Sequence, residues 1–371
     1  MLPSLKIKVL LNMPFNQKDL PSRIKVGNKW VGDGEPNFII AEIGNNHNGD
    51  VELAKRSVKA AFDAGADAVK FQKREVDEVF TKAMQAALQT NSRALGKTYG
   101  EYRRKQELKD EELKDVKKLA HSLGLAFFVT PFDLKSAKIL ADIRMDAWKI
   151  ASFDLNHVDL LEFVARQGQP IFFSTGMASM EEVARAVSTI LKYNNQLIIN
   201  HCVSIYPTPD EDLNLGAISF FKEKYRPLPI GYSGHEVGFI PTVAAVVLGA
   251  VAVERHFTLD KSLPGPDHST VSLDPQEFGE MVRQIRRIER AVADKKKYLH
   301  EKEVGILNKH GKSIVSRVAI PAGRVITKDI LAFKSPGNGI KPTLIHTVLG
   351  KVAKVDIAED TMLTEDLIKF S

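Results

Sequence analysis

From residue 38 onward the chain alternates eight times between short β-like runs and amphipathic helical stretches. No other feature constrains its fold as tightly. The β-like runs are Phe38–Ile43, Ala68–Gln72, Ala126–Pro131, Ala147–Ser152, Pro170–Gly176, Leu197–Cys202, Pro229–His235 and Val251–Phe257, and the helical stretches between them include 51–64, 111–123 and 180–191. Strict alternation calls for parallel strands, because a parallel pair needs a long crossover where an antiparallel pair needs only a tight turn. Eight such units over about 220–250 residues is the spacing of a TIM (β/α)8 barrel. An open doubly wound sheet would carry a glycine-rich phosphate loop after its first strand, and Glu42-Ile-Gly-Asn-Asn-His-Asn-Gly49 matches that loop poorly. The expected fold class is therefore α/β, a barrel followed by a small β-rich domain.

Catalysis in such a barrel sits at the C-terminal ends of the strands. Those ends carry Glu42; Lys70 and Gln72; Thr130; Lys149, Ser152 and Asp154; Ser174 and Thr175; His201, Ser204 and Tyr206; Ser233 and His235; Glu254 and His256. Any one of these is weak evidence alone, since Ser and Thr also cap helices. Together they describe one polar ring. His235 and His256 close consecutive runs, and parallel neighbours place their ends on one face, so the two imidazoles should lie side by side. Two readings stand at this point: half of a divalent-metal site, or two strand-end histidines satisfied by backbone hydrogen bonds.

Four segments follow from these patterns: an N-terminal extension at 1–34, the barrel at 35–293, a charged linker at 294–312 and a small domain at 313–371. In the last, Ile320-Pro-Ala-Gly-Arg-Val-Ile-Thr-Lys-Asp-Ile330 is echoed by Ile357-Ala-Glu-Asp-Thr-Met-Leu-Thr-Glu-Asp-Leu367, each copy ending in a Thr-capped helical turn. So small a unit has a marginal core, and it is expected to dock on something. The stretch from Lys73 to Lys109 is too long for a simple connection and reads as a substrate lid or a surface hairpin.

Composition narrows the setting. With 44% hydrophobic and 26% charged residues the chain reads as a soluble globular protein, and no apolar run approaches a membrane span. The patch Val9-Leu-Leu-Asn is too brief for a signal-peptide core. Cys202 is the single cysteine, which excludes an intrachain disulfide and makes a cytoplasmic setting the expectation. Net charge is +6, with Arg283, Arg286, Arg287 and Arg290 at helical spacing and Lys295–Lys297 behind them. Without interleaved aromatics this reads as the solvated face of a helix, so no nucleic-acid partner is expected.

Several motifs closely resemble the sialic acid synthase (N-acetylneuraminate synthase) family: Phe38-Ile-Ile-Ala-Glu-Ile-Gly-Asn-Asn-His-Asn-Gly49, Gly65-Ala-Asp-Ala-Val-Lys-Phe-Gln72, Ser174-Thr-Gly-Met177, His201-Cys-Val-Ser-Ile-Tyr-Pro207, Gly231-Tyr-Ser-Gly-His235, Glu254-Arg-His256 and Gly265-Pro-Asp267. The tail resembles that family's SAF (antifreeze-like) domain. This resemblance implies condensation of phosphoenolpyruvate with an N-acylated mannosamine-type sugar to a nine-carbon 2-keto acid plus phosphate. It also implies a divalent metal on His235 and His256, Mn²⁺ first and Mg²⁺ or Co²⁺ as the other choices. Phosphoenolpyruvate would be held by Lys70, Thr130, Lys149, Ser152, Ser174, Ser204 and Ser233, and the sugar by Glu42, Gln72, Tyr206 and Asp267. A domain-swapped homodimer is implied as well.

The residues suit that chemistry. Two lysines and several hydroxyls can neutralise and orient a phosphate and a carboxylate, and a metal with two protein ligands keeps positions open for substrate and water. Glu42, Asp154 and Glu254 are the candidate catalytic carboxylates, the last two for the proton of the attacking water. The tail departs from many bacterial members, in which arginine precedes Pro-Gly-Asn-Gly; here that position is Ser335, with Lys334 beside it. Free N-acetylmannosamine is the first candidate sugar, with 6-phosphorylated and diacetamido (legionaminic or pseudaminic acid precursor) sugars open. A metal-dependent pyruvate aldolase would use the histidines but need no phosphate holders. A non-catalytic carbohydrate-binding protein is the rival from outside enzymology.

Overall fold

The computed structural model describes residues 20–89, 95–265, 267–293 and 296–369. Val9-Leu-Leu-Asn, Pro266 and Lys295 lie outside them. Strands β1 (Arg23–Val26) and β2 (Lys29–Gly32) form a hairpin. The next eight are β3 (Phe38–Gly44), β4 (Ala68–Lys73), β5 (Ala126–Pro131), β6 (Ala147–Ile150), β7 (Ile171–Ser174), β8 (Leu197–Cys202), β9 (Ile230–Gly234) and β10 (Ala252–His256). All eight pair in parallel and close, β10 against β3, into the barrel that the alternation predicts. Observed strands end one or two residues inside several expected ones. At β6 the reason is local: Ser152–Asp154 turns into a 3₁₀ helix.

The pleat sorts the side chains. Within the barrel Phe172 stacks on Phe128 at 5.2 Å and on Phe38 at 6.0 Å between ring centroids, an aromatic floor. Above it the register sets His256 opposite Glu42, Glu42 opposite Lys70, and Glu254 opposite Ser233. The helices outside bury one face each. Pro275–Ala291, for example, starts on an Asp274 capping box and buries Phe278, Met281, Val282 and Ile285, leaving Arg283, Arg287 and Arg290 exposed.

The described part of the N-terminal extension packs into the barrel core through Ile24, Val26 and Val31. A Cβ at Gly27 would touch Ala126, at the start of β5, so the hairpin covers the N-terminal end of the barrel. Between β4 and β5 the insertion holds short helices at Val76–Val79, Lys82–Ala86 and Tyr99–Lys105 together with an antiparallel bridge between Leu88 and Thr98.

The chain divides after Ala293 into a second compact unit. Of the stretch read as a linker, Glu301–Glu303 and Val304–His310 are helical. The small domain is built on the sequence echo: Ile320 and Ile357 exchange both backbone hydrogen bonds, at 2.8 and 2.9 Å, and bury together with Ile314, Ile326, Leu363 and Ile368. Both copies end in 3₁₀ turns preceded by Thr327 and Thr364. Among the described residues no helix is long and apolar enough to cross a membrane.

Candidate active site

A cavity of about 510 Å³ opens at the C-terminal ends of the barrel strands. Every residue singled out above as catalytic, substrate-binding or metal-binding lines it, with Ser204 the single exception. At its base, Lys70 Nζ lies 2.7 Å from Glu42 Oε2, 3.0 Å from Thr130 Oγ1 and 3.7 Å from Glu254 Oε1. Lys149 Nζ donates to Ser174 Oγ at 2.6 Å and to the Ile150 carbonyl at 3.1 Å. Lys70 and Lys149 are each 3% exposed, so little water screens their charge.

These buried charges shift one another. Burial pushes Glu42 up and outweighs the opposing pull of Lys70. Burial also acts to raise Glu254, but Lys149, Lys70 and His235 together hold it below the ordinary carboxylate value. Of the two carboxylates, Glu254 is the better anion and Glu42 the easier to protonate. Burial pulls Lys149 down, against the attraction of Glu254. Asp154 is pushed up to about 7, by burial first and by Asp133 second. Burial likewise raises Asp267.

The histidine rings sit 5.4 Å apart, centroid to centroid, with the Tyr206 ring 4.0 Å from that of His235. His235 Nδ1 donates to the Val203 carbonyl at 2.7 Å, which leaves Nε2 as the nitrogen available to a ligand. Burial and the neighbouring His235 hold His256 well below the ordinary imidazole range, a neutral ring with a lone pair to offer. Beside it Glu254 Oε2 is buried and without a hydrogen-bond partner. No group of three or more metal-ligating side chains is gathered among the described residues. The pair fits a cation with two protein nitrogens and its remaining positions open to substrate and water.

Parity along the strands corrects the single polar ring. Thr175 and His201 turn away from the cavity: Thr175 donates to the Asn200 carbonyl at 3.0 Å, and His201 pairs with the Leu213 carbonyl at 2.8 Å. Adjacent residues on a strand face opposite sides, and ends alone do not reveal which. Ser204 lines a neighbouring depression with Gly176, its Oγ buried and unpartnered. A Cβ at Gly176 would come within 2.3 Å of Ser204 Oγ and 2.8 Å of Ser152 Oγ, so two hydroxyls converge on one backbone that only glycine supplies. Cys202 borders the cavity 3.7 Å from Ser152 Oγ.

Sequence reading missed the outer wall. Phe80, Tyr99 and Arg103 come from the insertion, and Arg74, Phe132 and Phe153 from strand ends and their loops. The Arg74 guanidinium stacks over Phe132 at 4.5 Å and donates to Gln72, which in turn donates to Glu42 at 2.8 Å. Arg74 continues the inward 70, 72, 74 parity of β4, a signal that was available. Arg103 lies one helical turn after Tyr99, within hydrogen-bond reach of its hydroxyl.

The profile of the NeuB family matches residues 57–297, and that of the SAF domain matches 311–369. Human N-acetylneuraminate-9-phosphate synthase is 38% identical, over 96% of this chain and 98% of its own. The N,N'-diacetyllegionaminic acid synthase of Legionella pneumophila is 37% identical, over 91% and 96%. Among solved structures, the N-acetylneuraminic acid (sialic acid) synthetase of Leptospira borgpetersenii, in complex with citrate, superposes with a TM-score of 0.69 at 34% identity, covering 77% of this chain and 95% of that one.

Proposed function

The chain belongs to the NeuB family, and on that premise we propose that it condenses phosphoenolpyruvate with the aldehyde of an N-acylated mannosamine-type sugar, releasing phosphate and a nine-carbon 2-keto acid. The observation that carries this reading is the meeting of two buried ammonium groups and two facing imidazoles in one cavity. A pyruvate aldolase has use for the imidazoles and none for a phosphate cradle. A non-catalytic binding site has no need for either.

Lys70 and Lys149 neutralise the phosphate and carboxylate of phosphoenolpyruvate, and the cavity-lining hydroxyls of Thr130, Ser152, Ser174 and Ser233 orient it, with Ser204 behind Gly176 beside them. His235 and His256 would hold the divalent ion, which supplies Lewis acidity toward the sugar aldehyde and acidifies bound water. C3 of the enol forms the new bond to the aldehyde carbon, whose oxygen takes up a proton from solvent water. Water adds to C2, and the C2–O bond to phosphate then breaks as the ketone forms. Asp154, titrating near 7, takes the proton that this water sheds, with Glu254 as the neighbouring anion that steadies positive charge at C2. Glu42, Gln72, Tyr206 and Asp267 hold the sugar.

Free N-acetylmannosamine is the first candidate sugar. A second reading, a 6-phosphorylated sugar, is favoured by Arg103, a cavity-lining cation whose hydrogen bonds go to the neutral partners Tyr99 and Gln106. The same premise expects a homodimer, to be checked by light scattering. Phosphate release is measured with phosphoenolpyruvate or pyruvate against free, 6-phosphorylated and diacetamido sugars, with Mn²⁺ or chelator present. Release confined to phosphoenolpyruvate, sugar and metal together supports the proposal. Condensation of pyruvate without it would sink the proposal.

A further inference from the structure

Behind the wall that carries the two histidines lies a second charged cluster, closed off from the cavity. Arg255 precedes His256 within β10, so the pleat turns it away from the cavity, and Glu236, in the bend just after β9 and His235, turns to meet it; neither lines the cavity. Both side chains are 0% exposed. Arg255 Nη1 donates to Glu236 Oε1 at 2.7 Å, to the Gly238 carbonyl at 2.7 Å and to Thr242 Oγ1 at 2.8 Å. Its Nη2 donates to the Glu236 carbonyl at 2.8 Å and lies 3.4 Å from that of Val271. The second carboxylate oxygen of Glu236 accepts from Tyr232 OH at 2.9 Å. A Cβ at Gly234 would come within 2.3 Å of that oxygen, which explains the glycine between Ser233 and His235.

A buried ion pair is a poor source of stability, since apolar replacements of similar volume are often neutral or better. What this one does is geometric. One planar guanidinium grips the chain just after His235, sits in the chain just before His256, and reaches the 271–273 segment, where Leu273 N donates to the His256 carbonyl at 2.8 Å. We propose that the Glu236–Arg255 pair is a positioning device that sets the separation and facing of the two imidazoles for a divalent cation. This rests on the reading of His235 and His256 as the metal-holding pair.

The test uses the full chain and Mn²⁺ alone, with free Mn²⁺ read by electron paramagnetic resonance and folding by thermal melting. Arg255→Lys keeps the charge and loses the fork; Glu236→Leu with Arg255→Met removes the charges together. Both variants are expected to bind Mn²⁺ about ten-fold or more weakly, in line with losing the support behind a metal ligand. In Arg255→Lys, raising Mn²⁺ is expected to restore turnover, with the KM for phosphoenolpyruvate unchanged. Folded variants with native affinity, or lower melting temperatures with unaltered affinity of the folded fraction, overturn the proposal. His256→Ala separates the two layers: native Mn²⁺ binding in that variant, or none in the unaltered chain, defeats the metal reading itself and the positioning role with it.

Discussion

The two ends of the barrel use the same kinds of side chain to opposite effect. At the N-terminal end, Asp67 accepts from Ile39 N at 2.8 Å and meets Arg286 at 3.2 Å and Lys29. Asp146 does the same for Phe127 N at 2.8 Å, with His121 at 2.7 Å. At the C-terminal end, Glu254 Oε2, Asp154 Oδ2 and Ser204 Oγ are buried without partners. Buried polar atoms are almost always satisfied; Asn37 Oδ1 and Tyr225 OH are exceptions at the closed end, but the unpartnered carboxylate oxygens gather at the open end, which marks where a ligand completes the bonding. The closed end spends its charges on holding strands; the open end keeps them for substrate.

That contrast can be broken by substitution, and the largest effect is expected at the base of the cavity. Lys149→Met should lower kcat/KM by about 10³-fold or more, through the loss of a preorganised cation in a dry site. An initial-rate assay of phosphate release checks it. His256→Ala should remove metal-dependent turnover while far-ultraviolet circular dichroism stays native; activity surviving there would refute the role given to the pair.

Asp154→Asn probes the open end by pH. If the carboxylate accepts a proton, kcat rises through pH of about 7, and the variant loses that limb together with about 10²-fold in rate. Stability runs the other way. Its pKa is raised on folding from 3.8 to about 7, so the native state is fully favoured below the lower value and loses that contribution as pH climbs through the upper one. The variant should therefore melt higher than the parent at pH 8 and nearly level with it at pH 4. At the closed end the expectation inverts: Asp67→Ala should cost about 2–4 kcal/mol of stability in denaturant unfolding and leave kcat of the folded enzyme unchanged. A large loss of kcat there would erase the distinction between the ends.

Much of the cavity was legible because strand period and strand order are local signals. Lys70, Gln72, Lys149, Ser233, Glu254 and His256 share the inward parity of short apolar runs. Thr175 and His201 were misplaced because the end of a strand says that a side chain is near the site, and parity decides on which side. Ser204 was displaced for a different reason: it lies beyond β8, where no pleat governs direction. The insertion reads in sequence as a lid or a hairpin, but which of its residues enter the cavity was hidden, because its helices have too few residues for a periodic pattern and only packing turns Arg103 inward.

By itself the sequence determined the alternation of strands and helices, the paired halves of the small domain and the chemistry available at the strand ends. Those are properties of neighbours along the chain, written in periods of two and 3.6 residues. Tertiary structure alone decided the register in which β10 closes on β3, which brings His256 abreast of Glu42, and that Arg255 reaches around His235 from behind. Closure depends on the summed registers of eight strands, and no short window of residues contains that sum.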